Sequence, residues 1–230
     1  MAGYIARKFN WRRFEKHSGR LFERYGVRVF HAMDLHGTKR DFKGWPRDRK
    51  IEFLQAWANI AANEEVTGVS VTINRQDYNE TRQREEVNEN ISPLHQCFIV
   101  LLQQLYGSEE GELWSLVEGQ KISILMEESE KLSGIEKWYE HKRALPSAGG
   151  KLKTMRQISK GHCRAIQYAD AFAFLSRRQA HDHDRAGSYE RSPEFGALLR
   201  THPHHGGIIG SFGRSDVPAD QLQATWTASR

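Results

Sequence analysis

The sequence predicts a mixed α/β chain, and three observations carry that expectation. Short β-branched or alternating apolar runs ("GYIA", "VTGVSVTI", "KISILMEES") recur between longer segments with helical periodicity. The 230 residues are 38% hydrophobic with six Trp, enough for an ordinary folded core. The longest purely apolar run, "CFIVLL" at 97–102, is far shorter than the ~20 residues a membrane-spanning helix needs. A mean hydropathy of -0.70 agrees with a chain outside the bilayer.

Taken in order, "GYIA" is a first short strand. Residues 11–25 follow as a helix, with Trp11, Phe14, Leu21, Phe22 and Tyr25 on its apolar face and Gly26 ending it. "VRVF" at 27–30 reads as a strand leading into the loop "HAMDLHGTKRDFKGW". Pro46 opens a helix over 46–63, with Ile51, Leu54, Trp57, Ala58 and Ala61 inward. "VTGVSVTI" at 66–73 is a strand, and a polar stretch then leads to a buried helix at 93–106, stopped by Gly107. "KISILMEES" alternates Ile122, Ile124 and Met126 against Ser123, Leu125 and Glu127, the pattern of a half-buried strand. A charged helix over 130–143, a break at "LPSAGG", a strand at "KTMRQIS" and a helix over 162–178 complete the domain. Residues 1–180 are expected to form it, with 181–230, rich in Gly, His and Ser, as a flexible tail.

Charge is unevenly spread. Residues 1–50 carry fourteen Lys/Arg against five Asp/Glu, a net +9, while the whole chain is +5, so the other 180 residues sum to -4. Arg12, Arg13, Lys16 and Arg20 lie close on one helix, either as its wet side or as a patch for nucleic acid. Cys97 and Cys163 form no CxxC, which points to a reduced, cytoplasmic setting, and no secretory signal is read in "MAGYIARKFNWRRF". "GGKLKT" lacks the leading Gly and closing Ser/Thr of a phosphate loop. His181, His183, His202, His204 and His205 stand in the expected tail without a helical frame for a metal.

The chemistry-bearing question is Asp170. On a helix it shares a face with Ile166, Ala169 and Ala173, and an unpaired acid on an apolar stripe is costly. Either it caps a loop or pairs with an arginine such as Arg164 or Arg178, or it joins Glu127 on Mg²⁺ or Mn²⁺, hard cations that take oxygen ligands. Glu127 stands where a strand ends, a usual ligand position in open α/β sheets. The loop at 31–45 adds His31, Asp34, His36 and Asp41, as a polar turn or as functional groups.

Three segments together, "AGYIARKFNWRRFEKHSGRLFERYGVRVFHAMDLHGTKRDFKGW", "ISILMEESEK" and "SKGHCRAIQYADAFAF", resemble in order the domain of unknown function 3800 family, generally regarded as ribonuclease H-like. The likeness spans residues 2–178. It maps the family's "fHa" loop onto Phe30, His31 and Ala32, with Asp34 just after, and its acidic strand end onto Glu127. Its last helix falls on Ile166, Gln167, Ala169 and Asp170, with Ser159 and Lys160 before it. The resemblance implies a ribonuclease H-like mixed sheet flanked by helices and a magnesium- or manganese-dependent nuclease, a hydrolase acting on nucleic acid. Asp170 and Glu127 would be metal ligands, Lys160 would steady phosphate charge, and His31 or Asp34 would stand at the rim. Family members begin with a strand carrying Asp-Glu-Ser, a triplet found nowhere in this chain. The chain is accordingly expected to lack one strand and one acid at its N-terminus, and to be marginally stable and weakly active or inactive. A non-catalytic nucleic-acid- or partner-binding module and an inactive remnant of a mobile element are the alternatives.

Overall fold

The computed structural model describes residues 1–73, 75–84, 91–106, 117–144, 151–186, 193–199 and 208–212. The fold is mixed α/β, as the sequence predicts, with helices predominating over two small sheets. The chain divides into two compact units.

One unit contains residues 2–72 and 160–211. It opens with β1 (Ala2–Ile5) and α1 (Lys8–Tyr25), continues through α2 (Ala32–His36) and α3 (Arg47–Asn63), and reaches β2 (Thr67–Ile73). Much later the chain returns with α7 (Arg164–Ala186), α8 (Pro193–Leu199) and β5 (Ile208–Phe212). β1 pairs antiparallel with β2, Ala2 opposite Ser70 and Ile5 opposite Thr67, in a sheet ordered β1-β2-β5. α1 stops where the sequence places its end. Gly26 takes φ 71°, and the N–H groups of Gly26 and Val27 turn back onto the carbonyls of Glu23 and Phe22.

The core of this unit is aromatic. Phe14, Phe22, Phe30, Phe42, Phe53, Trp57 and Tyr168 are fully or almost fully buried. Trp57 meets Tyr168 at 4.8 Å between ring centres, and Tyr4 stacks on Tyr168 at 4.5 Å. Gly68 is required by this packing, since a Cβ there would lie 2.8 Å from the Tyr4 ring. α1 and α3 are further tied by the buried carboxylate of Glu64, which takes Arg13 Nε at 2.8 Å and His17 Nδ1 at 2.9 Å. Such a charge is tolerable in the interior because it is paired.

The other unit contains residues 73–159. Its described elements are α4 (Arg75–Arg84), α5 (Pro93–Tyr106), β3 (Ile122–Glu127), α6 (Ser133–Ala144) and β4 (Leu152–Ile158). β3 and β4 run parallel with α6 as their crossover, Ile122 opposite Leu152 and Glu127 opposite Ile158. Parallel neighbours need such a connection because a tight turn cannot reverse the chain twice. Ile135 and Tyr139 of α6 are fully buried, and Phe98 of α5 packs edge-on to Trp138 and Tyr139. The alternation along β3 is as predicted, with Ser123, Leu125 and Glu127 exposed.

The structure differs from these expectations in three places. "VRVF" is not a strand: Val27 and Phe30 are buried, but side chains take up the backbone hydrogen bonds. The Arg28 N–H donates to Asp41 Oδ2 at 2.9 Å and the Phe30 N–H to Gln167 Oε1 at 2.7 Å. The polar stretch after β2 contains a helix, α4. Of the residues read as a tail, α7 continues to Ala186, and Ala197 on α8 is buried in the aromatic core. The 145–150 break, Gly107, and His202, His204 and His205 lie outside the described residues.

Candidate functional site

Asp170 lies in the first third of α7, whose buried apolar stripe is Tyr168, Ala171, Phe172 and Leu175. The Asp170 stripe is therefore the helix's half-buried flank, and the carboxylate side chain keeps 28% of its exposure. Two donors hold it. The Ala32 N–H donates to Oδ2 at 3.0 Å, and Lys160 Nζ lies 3.2 Å from the same oxygen. The Ala32 bond caps α2, whose own N-cap residue, His31, makes no side-chain cap. The loop-capping reading of Asp170 is thus realised, with a lysine rather than Arg164 or Arg178 as its cation.

Lys160 sits on a short 3-10 turn (Lys160–His162) just before α7 and is 9% exposed. Its ammonium also lies 3.4 Å from His31 Nδ1. An ammonium can only donate, so in this contact His31 Nδ1 is the acceptor.

Gln167, three residues before Asp170 and 1% exposed, completes the arrangement. Its Oε1 accepts the Phe30 N–H at 2.7 Å while its Nε2 donates to the Lys160 carbonyl at 2.8 Å. Phe30, His31, Ala32, Lys160, Gln167 and Asp170 thus form one bonded network between segments about 130 residues apart in sequence. Sequence reasoning quoted Gln167 but gave it no role. The available signal is a polar side chain one residue from the Tyr168–Phe172 stripe of a helix that is apolar nearly all round.

The remaining candidates fall elsewhere. Asp34 pairs with Arg40 Nε at 3.4 Å. The Asp41 carboxyl is lowered from its ordinary value, first by the Arg28 side chain and then by the Arg28 N–H. Glu127 is exposed at the end of β3, in the other unit. Glu15, which the sequence does not single out, accepts the N–H groups of Arg164 at 3.1 Å and Ala165 at 2.8 Å. It supplies an anion to the positive end of α7 from 149 residues away. Beside it, burial pushes the Cys163 thiol up to about 11.

Mg²⁺ and Mn²⁺ sites are built from several oxygens, usually more than one of them carboxylate. Within its own unit Asp170 brings one carboxylate, with Oδ2 already shared by an ammonium and an amide. Among the described residues, no three His, Cys, Asp or Glu side chains converge as metal ligands. The set assembled at Asp170 does not by itself fit a divalent ion. Its chemistry is that of an electrostatic clamp joining α7 to the 30–32 segment.

The first helix presents a different surface. Lys8, Arg12, Lys16, Arg20 and Arg24 recur every four residues, and all are exposed. Phe9 on the same side is 65% exposed, with the Arg13 guanidinium 5.5 Å from its ring centre. No acid occupies the first turn of this helix. Among the described residues, no helix is long and apolar enough to cross a membrane. Compared with family models, curated proteins and solved structures, the chain finds no match.

Proposed function

We propose that the chain is a nucleic-acid-binding protein that grips the phosphate backbone with α1, on a scaffold related to ribonuclease H-like domains. The observation that carries this reading is the exposed row Lys8, Arg12, Lys16, Arg20 and Arg24. Like charges four residues apart destabilise a helix by about 0.2–0.5 kcal/mol per pair, so the row's four pairs cost about 1–2 kcal/mol. Lys8 in the first turn also opposes the helix dipole. A polyanion reverses both penalties. At ~1.5 Å per residue the five cations span about 24 Å, a length matched to an extended series of phosphates. Exposed Phe9 offers a ring on which an unpaired base can stack.

The test is fluorescence anisotropy with a labelled single-stranded 20-mer, as DNA and as RNA, across a salt series. Four or five phosphate contacts give a log–log salt slope of about -3 to -4. The Arg12→Gln/Lys16→Gln/Arg20→Gln variant should lose at least about tenfold in affinity and flatten that slope by about two. Arg13 is left intact because it serves Glu64. Unchanged affinity at low salt would refute the reading. The same mixtures with Mg²⁺ or Mn²⁺ test the hydrolysis that the family resemblance implies. Metal-dependent cleavage, lost in Asp170→Asn without loss of folding, would replace binding alone with a nuclease that uses Asp170.

A further inference from the structure

The aromatic side chains of α1 pack into the core with one exception. Trp11 meets Phe14, Phe14 meets Tyr168, Phe22 meets Phe53 and Trp57, and Tyr25 meets Trp45 and Phe53. Phe9 instead stays 65% exposed, and its ring meets the Arg13 guanidinium within cation–π range. A single apolar side chain in water is ordinary on a protein surface, so exposure alone says little. Position is what sets Phe9 apart.

On one flank stand Lys8, just before it, and Arg12, its i+3 neighbour, both members of the cation row. On the other flank α1 is locked to the corner after α3. Asn10 Nδ2 donates to Glu65 Oε2 at 3.1 Å. Arg13 Nε lies 2.8 Å from one oxygen of the buried Glu64 carboxylate, and His17 Nδ1 lies 2.9 Å from the other. The guanidinium that backs the ring is therefore itself fixed, and the ring has its other face to offer. What that face selects follows from charge density. Phosphate contacts alone favour a duplex, where each contributes about 0.9 to the salt slope against about 0.7 on a single strand. A duplex keeps its bases stacked on one another, whereas a single strand can turn one out onto an aromatic face.

We propose that the α1 surface takes single-stranded nucleic acid in preference to duplex, one unpaired base stacking on Phe9 while its flanking phosphates lie on Lys8 and Arg12. This rests on the α1 reading and adds the strandedness of its partner. Arg13 and Glu64 act as positioning residues, holding the platform rather than touching the strand.

Fluorescence anisotropy on the full chain tests it, with a labelled 20-mer as single strand, as duplex with its complement, and as a single strand of abasic tetrahydrofuran units. At equal salt the base-bearing single strand should bind at least about tenfold more tightly than either of the others. Phe9→Ala should weaken the single strand about 5- to 100-fold, leave its salt slope where it was, and change duplex affinity less than about twofold. Phe9→Leu, apolar but without a π-face, should lose as much as Phe9→Ala, and Phe9→Trp should restore binding. These variants disturb no packed core, because Phe9 stands in solvent. A duplex bound as tightly as the single strand would overturn the proposal, as would Phe9→Ala or Phe9→Leu binding the single strand like the unaltered protein. In that event a flattened slope in Arg12→Gln/Lys16→Gln/Arg20→Gln would leave the α1 reading standing. Absence of salt-sensitive binding to either form would remove both.

Discussion

Replacing Gln167 by leucine isolates the clamp between α7 and the 30–32 segment. The two side chains are close in size, so the change removes polarity more than volume. It strands one buried backbone group, the Phe30 N–H bonded now at 2.7 Å, and removes one of two bonds at the Lys160 carbonyl, which keeps the Cys163 N–H at 3.3 Å. The unmet N–H costs about 1–3 kcal/mol and the lost carbonyl bond about 0.5–1.5 kcal/mol, and the added apolar burial returns about 1 kcal/mol. The net expected loss is about 0.5–3.5 kcal/mol, against the ~5–15 kcal/mol that stabilises a typical domain. Urea unfolding gives the global value, and hydrogen exchange gives the local one. At ~1.4 kcal/mol per decade, the Phe30 amide should exchange about twofold to 300-fold faster, and more so than Phe22 on α1. A stability change under about 0.5 kcal/mol, with Phe30 still protected, would show that Gln167 is not the strut described.

Four further outcomes follow from named contacts. Glu15→Ala should lower stability by about 1–2 kcal/mol in urea unfolding, because two N–H groups at the start of α7 lose their acceptor. Cys163, buried with its thiol at about 11, should alkylate at pH 8 at least about a hundredfold more slowly folded than unfolded, where an ordinary thiol titrates near 8.5. A raised folded value means this burial stabilises fully below about pH 8.5 and loses its contribution as pH rises through 11, so Cys163→Ser should flatten the alkaline limb of a stability profile. For Asp41, whose carboxyl Arg28 holds low, the sign reverses: the contribution is present above the ordinary carboxylate range and disappears as pH falls through the folded value. Arg28→Gln should therefore shift the urea midpoint more at pH 7 than at pH 2.5, and an equal shift at both would refute the pairing.

The elements legible in the sequence are those whose signals are local. The α1 boundary follows from Gly26, the β3 alternation from a period of two, and the α3 core face from Leu54, Trp57, Ala58 and Ala61. The basic surface was legible too, because exposed helix positions need no tertiary partner. What failed depended on distant residues. "VRVF" has the composition of a strand, yet Asp41 and Gln167 take its amides, the latter 137 residues away. α8 is a seven-residue helix whose buried Ala197 is anchored by the aromatic core, not by its own periodicity. A cavity lined by Leu35, Arg47, Phe174 and Glu194 joins α2, α3, α7 and α8, which no spacing rule connects.

The residues that carry the family resemblance near Asp170 are also those that bond one another. Phe30 binds Gln167, Ala32 binds Asp170, and Lys160 reaches Asp170, His31 and, through its carbonyl, Gln167. Mutual bonding of this kind accounts for those residue types in those places without any reaction, because each removal strands a partner in the interior. Asp170→Asn illustrates the consequence: an asparagine oxygen can still accept the Ala32 N–H but cannot neutralise Lys160. Lost function in that variant would therefore report clamp damage as readily as lost chemistry. The two separate when stability is measured alongside. A clamp couples Asp170 and Lys160 energetically in a double-mutant cycle with or without nucleic acid present, whereas a carboxylate used on a bound phosphate changes turnover at unchanged stability.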